Sequence, residues 1–283
     1  MLKEPRAYKD AHHAGGGDMT ETTGTVRLEV AEGIARLTFD NPRRLNAINQ
    51  AMWRLLPELL AAVQTNSAAR VLVLAGAGDR AFCTGNDISE FDSARADPVQ
   101  AEAYNALQRR VAEAMRDLTK PAIAAIDGHC LGAGLELALQ CDFRFATPKA
   151  RMGVPAVKLG LPYRLEDIRK VVEVVGLARA REMVLLGRHY AGEELLSLGL
   201  VTRLLPDREL LDAAVSDVAA ELAVNAPLSL AAAKVAFQEI TRTNAAPDLD
   251  RAQLFADVCY ASRDFVEGRA ARREKRAPRF EGS

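Results

Sequence analysis

The chain has 283 residues, of which 49% are hydrophobic and 27% are charged, and its formal net charge is -1 at pH 7. This composition is ordinary for a globular protein, and so small a net charge provides no field that would attract DNA or RNA. No apolar run approaches the roughly 18 residues needed to span a bilayer. The four cysteines are scattered and form no CxxC pair, which disfavours a zinc site or a disulfide framework. We therefore expect a cytoplasmic protein that binds no nucleic acid, membrane or metal.

The N-terminal part of the chain predicts a leader followed by alternating strands and helices. Residues 1–24 are polar, contain a glycine triplet and lack periodicity, as in a flexible leader. Apolar residues alternate between Val26 and Phe39 on both sides of a Glu-Gly pair, which predicts a hairpin. Asn49 is placed to cap a helix that runs through Val63. The wholly apolar run VLVLAG is typical of a strand buried on both faces, and a long helix follows from about Pro98 to Leu118.

The second half of the chain becomes progressively helical. A buried strand, PAIAAIDG, precedes the glycine-rich turn GHCLGAG, the short helix LELALQC and a further strand, DFRFA. Beyond Gly160 the pattern is helical almost to the end, with one short strand at LVTRLL. Alternating strands and helices followed by helices predict an α/β fold with a helical appendage. We assign residues 25–205 to the α/β core and residues 206–283 to the helical region.

Two glycine-containing turns, each directly after a buried strand, form the candidate site. They span Phe82–Asp87 and Gly128–Gly134. Small residues there let a ligand approach the backbone closely, and a helix that begins at Gly134 leaves its first N–H groups without partners. Amides from two such turns could form an oxyanion hole for a thioester oxygen, with Glu136 as a proton donor or acceptor. The competing interpretation is that the glycines permit tight packing and Glu136 only complements the helix dipole.

Four segments resemble the crotonase (enoyl-CoA hydratase/isomerase) superfamily: NPRRLNAIN, AFCTGNDI, KPAIAAIDGHCLGAGLELALQCDFRFAT and EGRAARREKRAPRF. The resemblance runs from about Val26 to Phe280. It implies the crotonase fold, a spiral of ββα turns whose C-terminal helical region supports assembly into homotrimers or hexamers. It also implies an enzyme with an acyl-CoA thioester substrate, a thioester enolate intermediate, and no cofactor apart from the coenzyme A of the substrate.

The resemblance assigns roles to individual positions of this chain. It assigns the two oxyanion-hole donors to the backbone N–H groups of Asn86 and Ala133, and the first catalytic glutamate to Glu136. It assigns the adenine and pantetheine segment to Leu45, Ala47, Thr84, Asp87 and Ile88. The small residues of the adjoining loops are expected to contact the substrate as well: Gly85, Gly132, Gly134 and Pro155.

The chain departs from the hydratase pattern at the second catalytic acid. Hydratases of the family carry a glutamate in a GxPE pattern, whereas this chain has Gly153–Ala156, with alanine at the last position. Alanine cannot transfer a proton, and loss of one member of an acid/base pair typically costs roughly 10²–10⁴-fold in rate. Glu166 and Asp167 are the nearest candidates for a relocated acid, Glu166 being our candidate catalytic residue. Each is equally explained as a charge near a helix N-terminus.

A further segment, LGLPYRLEDIRK, resembles the LGxPY segment of methylmalonyl-CoA decarboxylases in the same superfamily, in which a tyrosine takes part in the site. Tyr163 matches that tyrosine, and Asn86 occupies the position of their histidine. A decarboxylase needs the same oxyanion hole but no base to activate water. A loop tyrosine with its hydroxyl in water is the competing interpretation. We expect hydratase/isomerase-type activity, with acyl-CoA decarboxylation and binding of a CoA thioester without turnover as alternatives.

Overall fold

The computed structural model describes residues 24–242 and 245–283. Of the predicted leader at residues 1–24, only Gly24 falls within the described residues. The strands are β1 (Thr25–Ala31), β2 (Ile34–Asp40), β3 (Val71–Gly76), β4 (Ala81–Cys83), β5 (Ala122–Ile126), β6 (His129–Leu131), β7 (Phe143–Ala146), β8 (Arg151–Gly153), β9 (His189–Ala191) and β10 (Arg203–Leu204).

The helices are α1 (Gln50–Thr65), α2 (Phe91–Ala94), α3 (Pro98–Asp117), α4 (Ala133–Leu139), α5 (Leu165–Leu186), α6 (Glu193–Ser197), α7 (Arg208–Val224), α8 (Pro227–Ile240), α9 (Leu249–Ala261) and α10 (Arg263–Glu274). Asn49 caps α1 as predicted, because its side-chain oxygen accepts a hydrogen bond from the N–H of Met52 at 2.8 Å. Among the described residues, no single helix is long and apolar enough to cross a bilayer. Only α7 and α8 taken together reach that length, across a bend of 107°.

The larger sheet has six strands in the order β1-β2-β3-β5-β7-β10. The predicted hairpin of β1 and β2 is confirmed, and it is antiparallel, whereas the other pairs of this sheet are parallel. Every residue of β3 and of β5 is buried, as expected for parallel strands covered on both faces. This burial explains why both strands consist of apolar residues and could be predicted from those runs.

A second sheet, with strands in the order β4-β6-β8-β9, was not predicted from the sequence. Its four strands have three residues each. Such short strands give almost no alternation to detect, and two of them lie inside the segments predicted to be turns. β4 pairs with β6 in parallel, so the chain segments that follow these two strands begin next to each other, at the carboxyl ends of the strands.

Two groups of buried apolar side chains cover the two faces of the larger sheet. The larger group includes Trp53 and Leu56 of α1 and lies beneath α1, α3 and α4. The smaller group joins Leu211 and Val215 of α7 to the opposite face. Helices α7 to α10 occupy the region predicted to be helical, and the boundary between residues 205 and 206 stays a prediction.

Candidate active site

The two predicted glycine turns lie side by side, in contact through their backbones. A Cβ atom added to Gly85, whose φ is +90°, would lie 3.0 Å from the backbone nitrogen of Ala133. A Cβ atom added to Gly134 would lie 2.2 Å from the carbonyl oxygen of Cys83. Neither position has room for a side chain, so glycine is required for this close approach. Gly134 therefore serves the packing of α4 against β4.

The backbone N–H groups of Asn86 and Ala133 lie at this junction, and neither has a protein acceptor among the described residues. Ala133 is the first residue of α4, where an N–H lacks an intrahelical partner. Asn86 lies in a bridge in which its neighbours, not its own N–H, bond to Ile48. Both N–H groups are therefore available to a ligand that reaches the junction.

The side chain of Asn86 is held by hydrogen bonds from side chains of α1 and α3. Its Oδ1 accepts hydrogen bonds from Nε1 of Trp53 at 3.0 Å and from Nε2 of Gln108 at 2.8 Å. A longer contact of 3.4 Å comes from the hydroxyl of Tyr104. These contacts to α1 and α3 fix the side chain, and with it the position of the Asn86 backbone.

Glu136 lies in the first turn of α4 and faces a small cavity of about 110 Å³ that Asn86 and Ala133 also line. Its side chain is only 15% exposed. Burial raises the pKa of this carboxyl to about 8, and the nearby negative charge of Asp167 adds to the rise. Glu136 is thus largely protonated at neutral pH.

Opposite Glu136, Arg164 at the N-cap of α5 and Asp167 in the first turn of that helix form an ion pair. The guanidinium of Arg164 donates to both carboxylate oxygens of Asp167, from Nε at 2.7 Å and from Nη2 at 3.1 Å. The same Nη2 lies 4.0 Å from Oε2 of Glu136. Two-point pairing of this kind holds the geometry firmly. Asp167 is therefore engaged by Arg164 at two points, whereas Glu136 has only the longer contact to the same guanidinium.

Tyr163 completes this side of the cavity. Its hydroxyl is buried and makes no hydrogen bond of ordinary geometry to any described residue. Burial raises the pKa of Tyr163 well above its usual value, and the charges of the neighbouring Glu136 and Asp167 add to the rise. The interpretation in which this hydroxyl points into water does not fit its buried position.

The chain matches the enoyl-CoA hydratase/isomerase family model over residues 29–283. It belongs to the enoyl-CoA hydratase/isomerase family. It is 32% identical over 259 residues to a crotonyl-CoA hydratase of Syntrophomonas wolfei, covering 90% of this chain and 97% of that protein. It is 34% identical over 261 residues to an (E)-benzylidenesuccinyl-CoA hydratase of Thauera aromatica, covering 91% and 99%. A solved enoyl-CoA hydratase/carnithine racemase from Magnetospirillum magneticum superposes with a TM-score of 0.83 at 35% identity, covering 91% of this chain and 96% of that one. The predicted crotonase fold is confirmed.

In this enoyl-CoA hydratase/isomerase family member, Ala156 lies where the sequence analysis located the missing glutamate. Its methyl group lines the cavity, next to Pro155. Of the two acids considered as replacements, Asp167 lines the cavity, whereas Glu166 is exposed and does not. Adjacent helical residues point about 100° apart, so only one of the two can face α4. Among the described residues, no group of three or more His, Cys, Asp and Glu side chains could hold a metal ion.

Most of the predicted site residues lie around this cavity. Those that line it are Thr84, Gly85, Asn86, Ile88, Gly132, Ala133, Glu136, Pro155 and Tyr163. Leu45, Ala47, Asp87, Gly134 and Glu166 lie outside it. The carbonyl of Leu45 accepts a hydrogen bond from the Thr84 hydroxyl at 3.2 Å, and the Asp87 carboxylate caps the short 3-10 helix Ile88–Glu90. The assignment of Leu45, Ala47, Thr84, Asp87 and Ile88 to coenzyme A stays a prediction, as does the catalytic role considered for Glu166.

The sequence analysis missed Arg95, which lies just beyond α2 and also lines the cavity. Its guanidinium stacks on the rings of Tyr104 and Phe91, at 4.4 Å and 4.9 Å from their centroids. Its Nη2 donates to Oε1 of Gln108 at 3.3 Å, and its Nε is buried without a hydrogen-bond partner among the described residues. No motif surrounds Arg95, so only its place in the fold reveals it.

Proposed function

We propose that this chain acts on acyl-CoA thioesters through an enolate that the N–H groups of Asn86 and Ala133 stabilise, with Glu136 as the proton-transfer group. The observation that carries the proposal is the position of Glu136. This buried carboxyl holds a proton near neutral pH and lines the same cavity as two N–H groups without protein acceptors. Paired amide donors and one positioned acid are the groups that enolate chemistry requires.

The proposed mechanism begins with the thioester oxygen between the two N–H groups. When a proton leaves the α-carbon, or a nucleophile adds to the β-carbon, negative charge moves to this oxygen. The fixed donors of Asn86 and Ala133 stabilise that charge without having to reorganise. In a double-bond shift, the ionised form of Glu136 takes the proton from the α-carbon and then returns a proton to the γ-carbon. After a nucleophile has added to the β-carbon, the protonated form instead gives its proton to the α-carbon and is reprotonated from water. Its raised pKa suits it to both directions of transfer near neutral pH.

Within the family's chemistry, the cavity favours a reaction with a single proton-transfer group. A shift of a double bond moves one proton from carbon to carboxylate and returns one to a different carbon, and Glu136 alone can perform both steps. Hydration also requires a base for water, and Ala156 cannot supply it. Both oxygens of Asp167 already accept hydrogen bonds from Arg164. We therefore propose double-bond isomerisation in preference to hydration.

Acyl-CoA decarboxylation is the second candidate, and the buried hydroxyl of Tyr163 favours it. In this reaction, the bond between the α-carbon and a carboxylate breaks and CO₂ leaves. The electron pair enters the thioester enolate, and Glu136 delivers one proton to the α-carbon. An unpaired hydroxyl at this position is available to hold the departing carboxylate out of plane.

Turnover assays distinguish these reactions. Wild type, Glu136→Gln and Tyr163→Phe would be compared on 3-hexenoyl-CoA, crotonyl-CoA and methylmalonyl-CoA. The proposal expects the double-bond shift in wild type, its loss in Glu136→Gln, and activity within about threefold of wild type in Tyr163→Phe. Decarboxylation that disappears in Tyr163→Phe makes the second candidate correct. Binding of acyl-CoA with no turnover and no α-proton exchange leaves only the CoA-binding alternative.

We also propose that the chain assembles in multiples of three through its C-terminal helices. These helices expose large apolar side chains in the single chain, including Phe237 (65% exposed), Ile240 (74%) and Tyr260 (67%). Such clustered exposure is typical of surfaces that a neighbouring chain covers. Light scattering should give a trimer or hexamer. A monomer at micromolar concentration would contradict this part of the proposal.

A further inference from the structure

The cavity contains two arginines, and only one of them has a carboxylate partner. Arg164 is bound at two points by Asp167. Arg95 has a single side-chain hydrogen bond, to the neutral amide of Gln108, and among the described residues it forms no ion pair. Its buried Nε donates to nothing described. Arg95 as a whole is half-buried, but its Nε is fully buried. Buried polar groups in proteins are ordinarily hydrogen-bonded, so this unpartnered Nε is an exception in the cavity.

The charges of the cavity do not balance at neutral pH. Arg164 and Asp167 cancel, and Glu136 is largely neutral because it keeps its proton. Arg95 then leaves one net positive charge in a half-enclosed space. Burial lowers the pKa of Arg95 and the like charge of Arg164 adds to the effect, whereas Tyr104 and Glu136 oppose it. Stacking on Tyr104 and Phe91 supports the guanidinium but does not neutralise it.

We propose that Arg95 binds a carboxylate carried by the acyl group, so that the substrates are CoA thioesters of dicarboxylic acids. This inference rests on the proposed function, because it names the acyl class for the same cavity. The unpaired Nε and the neighbouring Nη atoms offer the planar, two-point geometry that arginine uses for carboxylates. Pairing with arginine stabilises a carboxylate in its ionised form and so disfavours its loss as CO₂. The carboxylate that Arg95 binds is therefore one beyond the α-carbon, and not the one that a decarboxylase would release.

The test uses acyl-CoA pairs that differ in charge and little in size. Succinyl-CoA and butyryl-CoA share a four-carbon acyl chain that ends in a carboxylate or a methyl group, and glutaryl-CoA and valeryl-CoA repeat the comparison with five carbons. Dissociation constants would be measured by calorimetry for wild type, Arg95→Met and Arg110→Met. Arg110 is exposed on α3 and serves as the matched control for loss of an arginine.

Wild type and Arg110→Met should bind the anionic member of at least one pair ~10- to 100-fold more tightly, as expected for a charge-assisted hydrogen bond. Arg95→Met should bind both members equally, with the neutral ligand within about twofold of its wild-type value. No preference in wild type, or a preference that survives in Arg95→Met, overturns the inference. Loss of both ligands in a folded Arg95→Met protein also overturns it, because the arginine would then be structural. Wild type that binds no acyl-CoA at all refutes the proposed function itself, a result distinct from neutral binding without preference.

Discussion

The cavity has two walls that present different kinds of group: backbone N–H groups on one side, and charged or polar side chains on the other. The backbone wall is formed by the segments 84–86 and 132–136, where glycine-permitted contacts leave the N–H groups of Asn86 and Ala133 without protein acceptors beside Glu136. The side-chain wall consists of Arg95 and residues 155–167, where an ion pair, a buried tyrosine hydroxyl and an unpaired guanidinium face the same space. Under the function proposed above, the first wall would act on any thioester, whereas the second would distinguish one acyl chain from another. Chemistry and specificity would then be supplied by separate segments of this chain.

Replacing the acid of the backbone wall should have the largest effect. Glu136→Gln removes the transferable proton and should lower turnover by roughly 10²–10⁴-fold on every acyl-CoA that wild type converts. Steady-state assays would measure it. Glu194→Gln is the control, because this exposed glutamate lies in the first turn of another short helix, α6. Like α4, this helix is preceded by a glycine of positive φ, 56° for Gly192 and 52° for Gly132. Full activity of Glu136→Gln would show that the two walls do not divide the work as described.

The same substitution should change how stability depends on pH. The folded protein keeps the Glu136 proton up to about pH 8, whereas the unfolded chain loses it near the usual value of 4.5. The native state therefore binds more protons between these values, and its stability contribution from Glu136 is full below about pH 4.5 and falls as pH rises towards 8. Denaturant unfolding from pH 5 to pH 8 should show this loss in wild type and a flatter profile in Glu136→Gln. Identical profiles would contradict the raised pKa.

Removing one backbone donor should have the next largest effect. Ala133→Pro deletes the N–H at the first position of α4, where proline is compatible with the helix. Judged from other oxyanion holes, the loss should be about 2.7–4 kcal/mol of transition-state stabilisation, or roughly 10²–10³-fold in turnover. Ala133→Gly retains the donor and should stay close to wild type. Should the folded Ala133→Pro protein turn over normally, the N–H of Ala133 does not contact the oxyanion.

Replacing Asp167, in the side-chain wall, should change the pKa of Glu136, in the backbone wall. Asp167→Asn removes a negative charge beside Glu136 and frees Arg164, and both changes favour the ionised carboxylate. The Glu136 pKa should fall, and the acidic limb of the pH–rate profile for double-bond isomerisation, where Glu136 becomes ionised, should move to lower pH by roughly one to two units. Glu166→Gln, at an exposed position, should leave the limb in place. Equal shifts in both variants would argue for a general charge effect.

The two walls also differ in how far the sequence predicted them. Glycines in the turns and a carboxyl in the first turn of a helix are local features, so Glu136 and the segments around it could be found from spacing and from the family resemblance. Arg95 could not, because its importance comes from the tertiary contacts that bring α2, α3 and α4 together. The sequence also could not decide between Glu166 and Asp167, because the rotation of α5 about its own axis determines which of these two neighbouring acids faces the cavity.

The fold shows a parallel contrast. Strands β3 and β5 were predictable because burial on both faces requires continuous apolar runs. The second sheet escaped prediction because its three-residue strands carry no period and depend on backbone pairing between distant segments. This sheet aligns the two turns, so the part of the fold least visible in the sequence is the part that assembles the backbone wall.

A crystal structure of the protein with bound succinyl-CoA would test the account most directly. We expect the thioester oxygen about 2.7–3.1 Å from the backbone nitrogens of both Asn86 and Ala133, the distance required of oxyanion-hole donors. The Glu136 carboxyl should face the α-carbon, and the distal carboxylate should contact the guanidinium of Arg95. A thioester bound elsewhere, or bound here with its oxygen turned away from these two N–H groups, would contradict the division of the cavity into a catalytic and a specificity wall.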